Sequence, residues 1–256
     1  MCNTRSGRHW LINGVMIIVV NLAVVGCSKD EAQPRTIYVF VDTVAVPANA
    51  VADVDGNIYE TTVIGGRRWM AENLRSVHFA NGDPIPYTPG TTEWSQLTVG
   101  SWSNYNVDAS YDAVLGKLYN WYAVQDSRNV CPSGWHVPTD GDWKALETSL
   151  GLSDVELDAN GARGATVNAG GNLKALVLWN APNTGATDST GFTAYPGGIR
   201  TMYGGFTNVG SRGHWWSATP FDTIYSWSRE LNTSSRGIYR VKANRLIGAS
   251  VRCVKN

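Results

Sequence analysis

Apolar and polar positions along the 256-residue chain change their period several times. From Val15 to Val25 every residue is apolar except Asn21. A run of about eleven residues is too short to cross a hydrocarbon core of about 30 Å but has the length of a secretory h-region. Ile37-Tyr38-Val39-Phe40-Val41 is β-prone and predicts an isolated edge strand. Ala45–Ala50 has no helical period and contains Pro47, as a tether would. Val54-Asp55-Gly56-Asn57-Ile58 places Asp-Gly between β-prone stretches, a strong hairpin signal, and Gly65-Gly66 marks a second turn. Asp53, Asp55 and Asn57 alternate like the start of a calcium loop. The glycine comes too early, though, and Ile64 stands where the closing carboxylate belongs, so the hairpin is the reading.

Helical spacing occurs in two places. Leu118, Tyr119, Tyr122 and Ala123 predict a short helix after Gly116. Thr139 or Asp140 offers an N-cap, Asp142 an acidic first turn, and Trp143, Leu146 and Leu150 an apolar stripe that Gly151 stops. From about Gly191 onward, short β-prone runs are broken by glycine. Ala249–Val254 alternates as a closing strand would.

Arg5 and Arg8 supply a positive n-region ahead of the apolar run. Leu22-Ala23-Val24-Val25-Gly26-Cys27 resembles a lipobox, with Val24 where leucine is preferred. This division predicts a lipoprotein signal peptide over 1–26, an acylated Cys27 opening a tether over 27–50, and a folded domain over 51–256. Ser28-Lys29-Asp30-Glu31 resembles the short Lys-plus-acidic signal that directs some lipoproteins to the outer face of the outer membrane. Cys2 lies in the leader and Cys27 would carry lipid. That leaves Cys131 and Cys253 to pair in an oxidising compartment.

Composition narrows the partners. With 21 Lys+Arg against 21 Asp+Glu there is no basic excess to meet nucleic acid. Twenty-seven glycines, 11 tryptophans and a charged fraction of 16% describe a turn-rich fold of short strands. Beyond the leader the histidines are His78, His136 and His214, and no HExxH, GxSxG, phosphate-loop or CxxC pattern occurs. The expectation is therefore no catalytic residue, no metal and no cofactor.

Several segments fall in a recognisable order: Asp55-Gly56-Asn57-Ile58-Tyr59, Trp69-Met70-Ala71-Glu72-Asn73-Leu74, Gly116-Lys117-Leu118-Tyr119-Asn120-Trp121, Cys131–Thr139, Trp216-Ser217-Ala218-Thr219 and Ser250-Val251-Arg252-Cys253-Val254. Together they resemble the Fibrobacter succinogenes major paralogous domain, a family of exported bacterial proteins. The match runs from about residue 51 to the C-terminus, with Asp142 where the family more often has Glu. The Cys-Pro-x-Gly-Trp segment and the closing Arg-Cys are similar to C-type lectin-like and formylglycine-generating-enzyme-like domains. That resemblance implies an α+β fold of small twisted antiparallel sheets, a few helices and long irregular loops, with Cys131 joined to Cys253. The calcium-lectin sugar motif is missing, since Trp179-Asn180 is followed by Ala181-Pro182. The paired cysteines of the enzyme relatives are missing as well.

Fold alone does not fix function. The anchor, tether and lectin-like loops point to a non-catalytic binding or adhesion module at the cell surface, with glycans or envelope proteins as candidate ligands and the membrane as a partner through lipid. The alternative is a structural subunit of an envelope or pilus-like assembly; an enzyme on a lectin-like scaffold ranks below both. Trp69, Trp121, Trp135, Trp143 and Trp216 read as core. Trp94, Trp102, Trp179 and Trp227 sit in polar contexts that predict exposure, and Trp179, Tyr203, His214, Trp215 and Trp227 are the candidate ligand contacts.

Overall fold

The computed structural model describes residues 46–256 in full and, ahead of them, the backbone of three strands, Arg8–Ile12, Val15–Asn21 and Thr36–Val41. Those strands form an antiparallel sheet in sequence order, so Thr36–Val41 is paired with Val15–Asn21 rather than isolated. Cys27 and the Ser28–Glu31 signal lie outside the described residues. The second compact unit spans Ala48–Asn256. No helix among the described residues is long and apolar enough to cross a membrane.

Within this unit, Ala50–Ala52 and Ile58–Ile64 pair across the Asp53–Asn57 turn. Asp53 holds that turn by accepting from the amides of Asp55 (3.0 Å) and Asn57 (2.9 Å). Ile58–Ile64 then pairs with Arg67–Met70 through Gly65-Gly66, both at positive φ (59° and 75°), the conformation a two-residue hairpin turn requires. Val254–Lys255 and Trp135–His136 complete this five-stranded sheet. A six-stranded sheet runs in the order Gly161–Arg163, Ile238–Asn244, Tyr225–Asn232, Arg212–Pro220, Gly197–Arg200, Phe206–Val209. It is antiparallel except where Gly197–Arg200 meets Arg212–Pro220. The fold is α+β, with short helices set among small, mostly antiparallel sheets.

The helix expected after Thr139 spans Asp140–Ser149. Thr139 accepts from the Asp142 amide and Asp142 from the Thr139 amide (2.8 Å), a reciprocal capping box. Trp143 and Leu146 are buried on its inner face, and Gly151 follows the cap at φ 96°. The other expected helix is shorter than its spacing suggested. Leu118–Tyr119 is a strand paired with Trp102–Ser103, and the helix covers only Trp121–Val124. Asn120 sets that boundary, because it stays extended while its carboxamide oxygen accepts from Ala123 N and Ser101 N.

The closing segment also departs from simple alternation. Only Val254–Lys255 joins a ladder. Ala249–Cys253 runs between the two main apolar clusters, so Ser250 and Arg252 are as buried as Val251 and Cys253. One cluster packs around the Cys131–Cys253 disulfide with Tyr59, Met70, Trp121 and Trp216. The other packs Trp69, Trp143, Phe192 and Trp215 ring against ring.

Candidate functional site

A groove of about 360 Å³ opens between three irregular segments. Ser110, Tyr111, Val114 and Leu115 form one wall, Leu178 and Asn180 the second, and Pro196, Val209 and Gly210 the third. Asp108 builds the first wall by capping Ser110 N (2.9 Å) and starting the turns that lead into the Asp112–Leu115 helix. Tyr105 supports it from beneath, in contact with Tyr111 at 5.4 Å and Phe206 at 5.3 Å between ring centroids. The second and third walls are tied together by Asn180 N donating to Gly210 O (2.7 Å), while Gly210 N donates to Pro196 O (2.9 Å). Gly210 sits at φ 75°, a conformation that favours glycine, and a Cβ there would stand 2.9 Å from the Asn180 carboxamide.

A non-glycine residue at positive φ stands in or ahead of each wall: Leu178 (φ 70°) lines the second, while Val107 (φ 60°) and Asn208 (φ 69°) precede the first and third. Such residues are costly, above all when bulky, and persist where surrounding structure over-determines them, often at ligand sites. Leu178 also ends an exposed aliphatic shelf, Leu176 (66%), Val177 (60%) and Leu178 (50%), next to Val114 (47%). The exposed Asn180 amide and Ser110 hydroxyl add polar groups to an otherwise apolar lining. This combination resembles the usual composition of a ligand site.

Elsewhere in the domain, loops are held by buried cations that bond to main-chain oxygens. Lys174 donates to the carbonyls of Thr184 (2.8 Å), Asn232 (3.1 Å) and Ser235 (3.1 Å), one for each ammonium proton. Burial pushes its pKa down to about 8. Arg200 bonds to the carbonyls of Thr88, Pro89, Gly90 and Gly204 while stacked over Trp94 at 4.3 Å. Arg252 bonds to the carbonyls of Phe192 and Thr193 and to Asn73 Oδ1. Asn73 also accepts from Trp215 Nε1 (2.9 Å) and donates to Leu115 O (2.8 Å), which joins the closing segment to the groove's first wall. These cations lay outside the sequence reading, because long-range carbonyl partners leave no local spacing signal.

A second recess of about 250 Å³ is lined by Asp53, Ser76, His78, Cys131 and Ser133 among others. Asp55 Oδ1 lies 2.5 Å from His78 Nδ1, while its Oδ2 accepts from the Val77 amide (2.6 Å), so the imidazole is oriented by a fixed carboxylate. Asp53 is occupied by Tyr59 and Ser76 hydroxyls, and no group of three metal-ligating side chains forms among the described residues.

The sequence-derived contact residues do not gather in the groove. Trp179 lies beneath its second wall, 9% exposed, with Nε1 donating to Ala194 O (2.9 Å). Trp215 is in the aromatic cluster. Trp227 sits between the Phe221 edge (5.0 Å) and the Arg240 guanidinium (3.4 Å). His214 is buried, with burial and then Arg212 driving its pKa down to about 3. Tyr203 alone is open, at 72%. The expectation of exposed tryptophans is corrected too, since Trp94 is fully buried and Trp102 half-buried. Their polar sequence contexts are explained by the indole N–H groups, which donate to Leu246 O (2.8 Å) and Ile85 O (3.0 Å).

No curated protein and no solved structure matches the chain. The Fibrobacter succinogenes major domain does match, over residues 63–255, a span that includes the disulfide, the Asp140–Ser149 helix and all three walls of the groove. The chain belongs to the Fibrobacter succinogenes major domain family.

Proposed function

We propose that this chain is an exported lipoprotein, acylated at Cys27 and displayed on the outer membrane, whose folded part is a non-catalytic binding or adhesion module. The groove bounded by Val114, Leu178 and Val209 is the recognition site. The observation that carries this reading is the cost of its shape. Leu178 is held left-handed in one wall, and Asn73, itself held by Trp215 and Arg252, donates to Leu115 O in another. The family's similarity to C-type lectin-like domains supports it, as does the disulfide tying the segment before the Asp140–Ser149 helix to the last strand.

The test is a glycan array and polysaccharide pull-down with the full chain, with and without EDTA, alongside Val114→Asp and Leu178→Asp. Specific capture lost in both variants supports the groove as the recognition site; capture by the variants equal to wild type rejects it. Labelled palmitate incorporated by wild type and not by Cys27→Ser supports the anchor, and equal incorporation rejects it.

A second reading rests on the aliphatic character of the shelf. Pyranose rings pack their apolar faces on aromatic rings, yet Tyr111 is the single aromatic among the lining residues. Leu176–Leu178 instead suits apolar side chains of another protein, as in an envelope assembly subunit. Concentration-dependent assembly in analytical ultracentrifugation, abolished by Leu178→Asp, favours this reading over the glycan one.

A further inference from the structure

At one end of the six-stranded sheet, the turn between Arg212–Pro220 and Tyr225–Asn232 exposes three large apolar side chains, Phe221 (42%), Ile224 (55%) and Tyr225 (38%). The backbone of this tip is hydrogen-bonded on both sides. Asp222 Oδ1 accepts from both Ile224 N and Tyr225 N at 2.7 Å, Phe221 N donates to Tyr225 O (3.0 Å), and Arg245 N donates to Ile224 O (3.0 Å). The apolar residues are therefore presented outward by a fixed backbone.

The cations next to them are equally specific in position. Lys242 is exposed, with Nζ 3.6 Å from the centre of the Phe221 ring. Arg245 stacks over Trp121 at 4.3 Å and donates to Asp222 O. The one carboxylate of the tip, Asp222, is already engaged by backbone amides, and Arg245 and Lys242 add to the field that holds it ionised. Aromatic and aliphatic side chains projecting together from a hydrogen-bonded turn, with an exposed lysine beside them, match the boundary between lipid headgroups and acyl chains, where rings sit at headgroup level and cations meet phosphates.

We propose that the Phe221–Tyr225 tip is a membrane-contact site that dips into an anionic bilayer surface, with Ile224 and Phe221 entering the acyl boundary and Lys242 bound to lipid phosphate. This inference does not require acylation of Cys27, and it concerns a surface separate from the groove residues.

The test places the photoreactive residue benzoylphenylalanine at Ile224 in the full chain. A control chain carries it at Val155, which is 85% exposed on the Asp154–Asp158 helix. Each is irradiated with vesicles of phosphatidylcholine alone and of phosphatidylcholine with phosphatidylglycerol, and lipid adducts are counted by mass spectrometry. Delivery of the chain by its N-terminal segment acts on both positions alike and cancels in the ratio. The expected result is a lipid adduct yield about tenfold higher at 224 than at 155 on the anionic vesicles, reduced by Lys242→Glu by a similar factor. Equal yields at the two positions overturn the proposal. So do adducts at 224 that ignore both phosphatidylglycerol and Lys242→Glu, or adducts at 224 that form with a second copy of the chain instead of lipid.

Discussion

Glu147 Oε1 lies 2.5 Å from Arg229 Nε, with the two side chains 0% and 1% exposed. The same oxygen accepts from Arg163 Nη2 at 2.6 Å. Arg229 also reaches Asp140 Oδ1 (2.9 Å), and Arg240 closes a two-pronged pair with Asp140 at 3.0 and 2.8 Å. Two carboxylates of one helix thus hold three guanidinium groups from three strands. Burial opposes ionisation of Asp140, but the hydrogen bonds from Arg240 and Arg229 prevail and bring its pKa down to about 2.

Removing Glu147 leaves the buried Arg163 without a carboxylate and Arg229 with Asp140 alone. Glu147→Gln is expected to cost about 3–5 kcal/mol, because one partner of a buried ion pair is lost while the other charges remain. The double variant Glu147→Leu with Arg163→Met should be more stable than Glu147→Leu alone, since the second change removes a buried charge that the first left without a carboxylate. Urea unfolding of the set reads this out. A double variant whose loss equals the sum of its singles would mean that the two side chains act independently.

The disulfide is buried among Trp121, Trp135 and Trp216 and spans 122 positions. Closing a loop of that length removes about 4–5 kcal/mol of unfolded-state entropy in the chain-entropy description. Cys253→Ser should therefore lower the melting temperature under oxidising conditions. Reductant should bring wild type down to the variant and leave the variant unchanged. Coincident oxidised melting curves would show that the bond contributes no net stability.

Some of this architecture was legible in the residues and some was not. The Asp-Gly and Gly-Gly hairpins, the capped Asp140–Ser149 helix and the cystine could be read because each depends on local spacing or on counting cysteines. The burial of Trp94, Trp179 and Trp227 could not, because distant partners cover them: carbonyls of Leu246 and Ala194 take the first two indole N–H groups, and the Arg240 guanidinium lies over the third ring. The groove was invisible for the same reason. Val114, Leu178 and Val209 share no periodicity, and only the folded loops bring them together. Five of the cations that organise the interior, Arg163, Lys174, Arg200, Arg229 and Arg240, carry no local pattern that sets them apart from surface cations in a chain of balanced charge.

Acid should act through His214 before it acts through Asp140. His214 Nε2 lies 3.4 Å from Glu230 Oε2, with Arg212 beside them, and burial holds its folded pKa near 3. An unfolded histidine titrates near 6.5, so between those values the unfolded chain binds a proton that the native chain does not. Stability is thus full above about pH 6.5 and falls as pH drops toward 3, by at most about 1.4 kcal/mol per pH unit. Asp140 follows: its depressed pKa contributes stability above about pH 4, lost as pH falls through 2. His214→Phe should flatten urea midpoints between pH 6.5 and 4 and leave the steeper loss below pH 4. An unchanged profile in that variant would exclude His214 as the source of the upper limb.

Leu178 connects stability to the proposed recognition groove in one residue. At φ 70° a leucine carries roughly 1–2 kcal/mol of steric strain that glycine does not. Half its side chain is exposed, so truncation loses little burial. Glycine lowers stability through the unfolded state by about 0.5–1 kcal/mol, which the released strain matches or exceeds. Leu178→Gly should therefore melt at or above wild type, and above Leu178→Ala, which keeps the left-handed strain while losing the same wall. Both variants remove an apolar side of the groove, so both should weaken capture of whatever ligand the wild type retains. Should alanine and glycine melt together, the backbone at 178 is not under strain; should capture survive both, Leu178 is not part of the recognition wall.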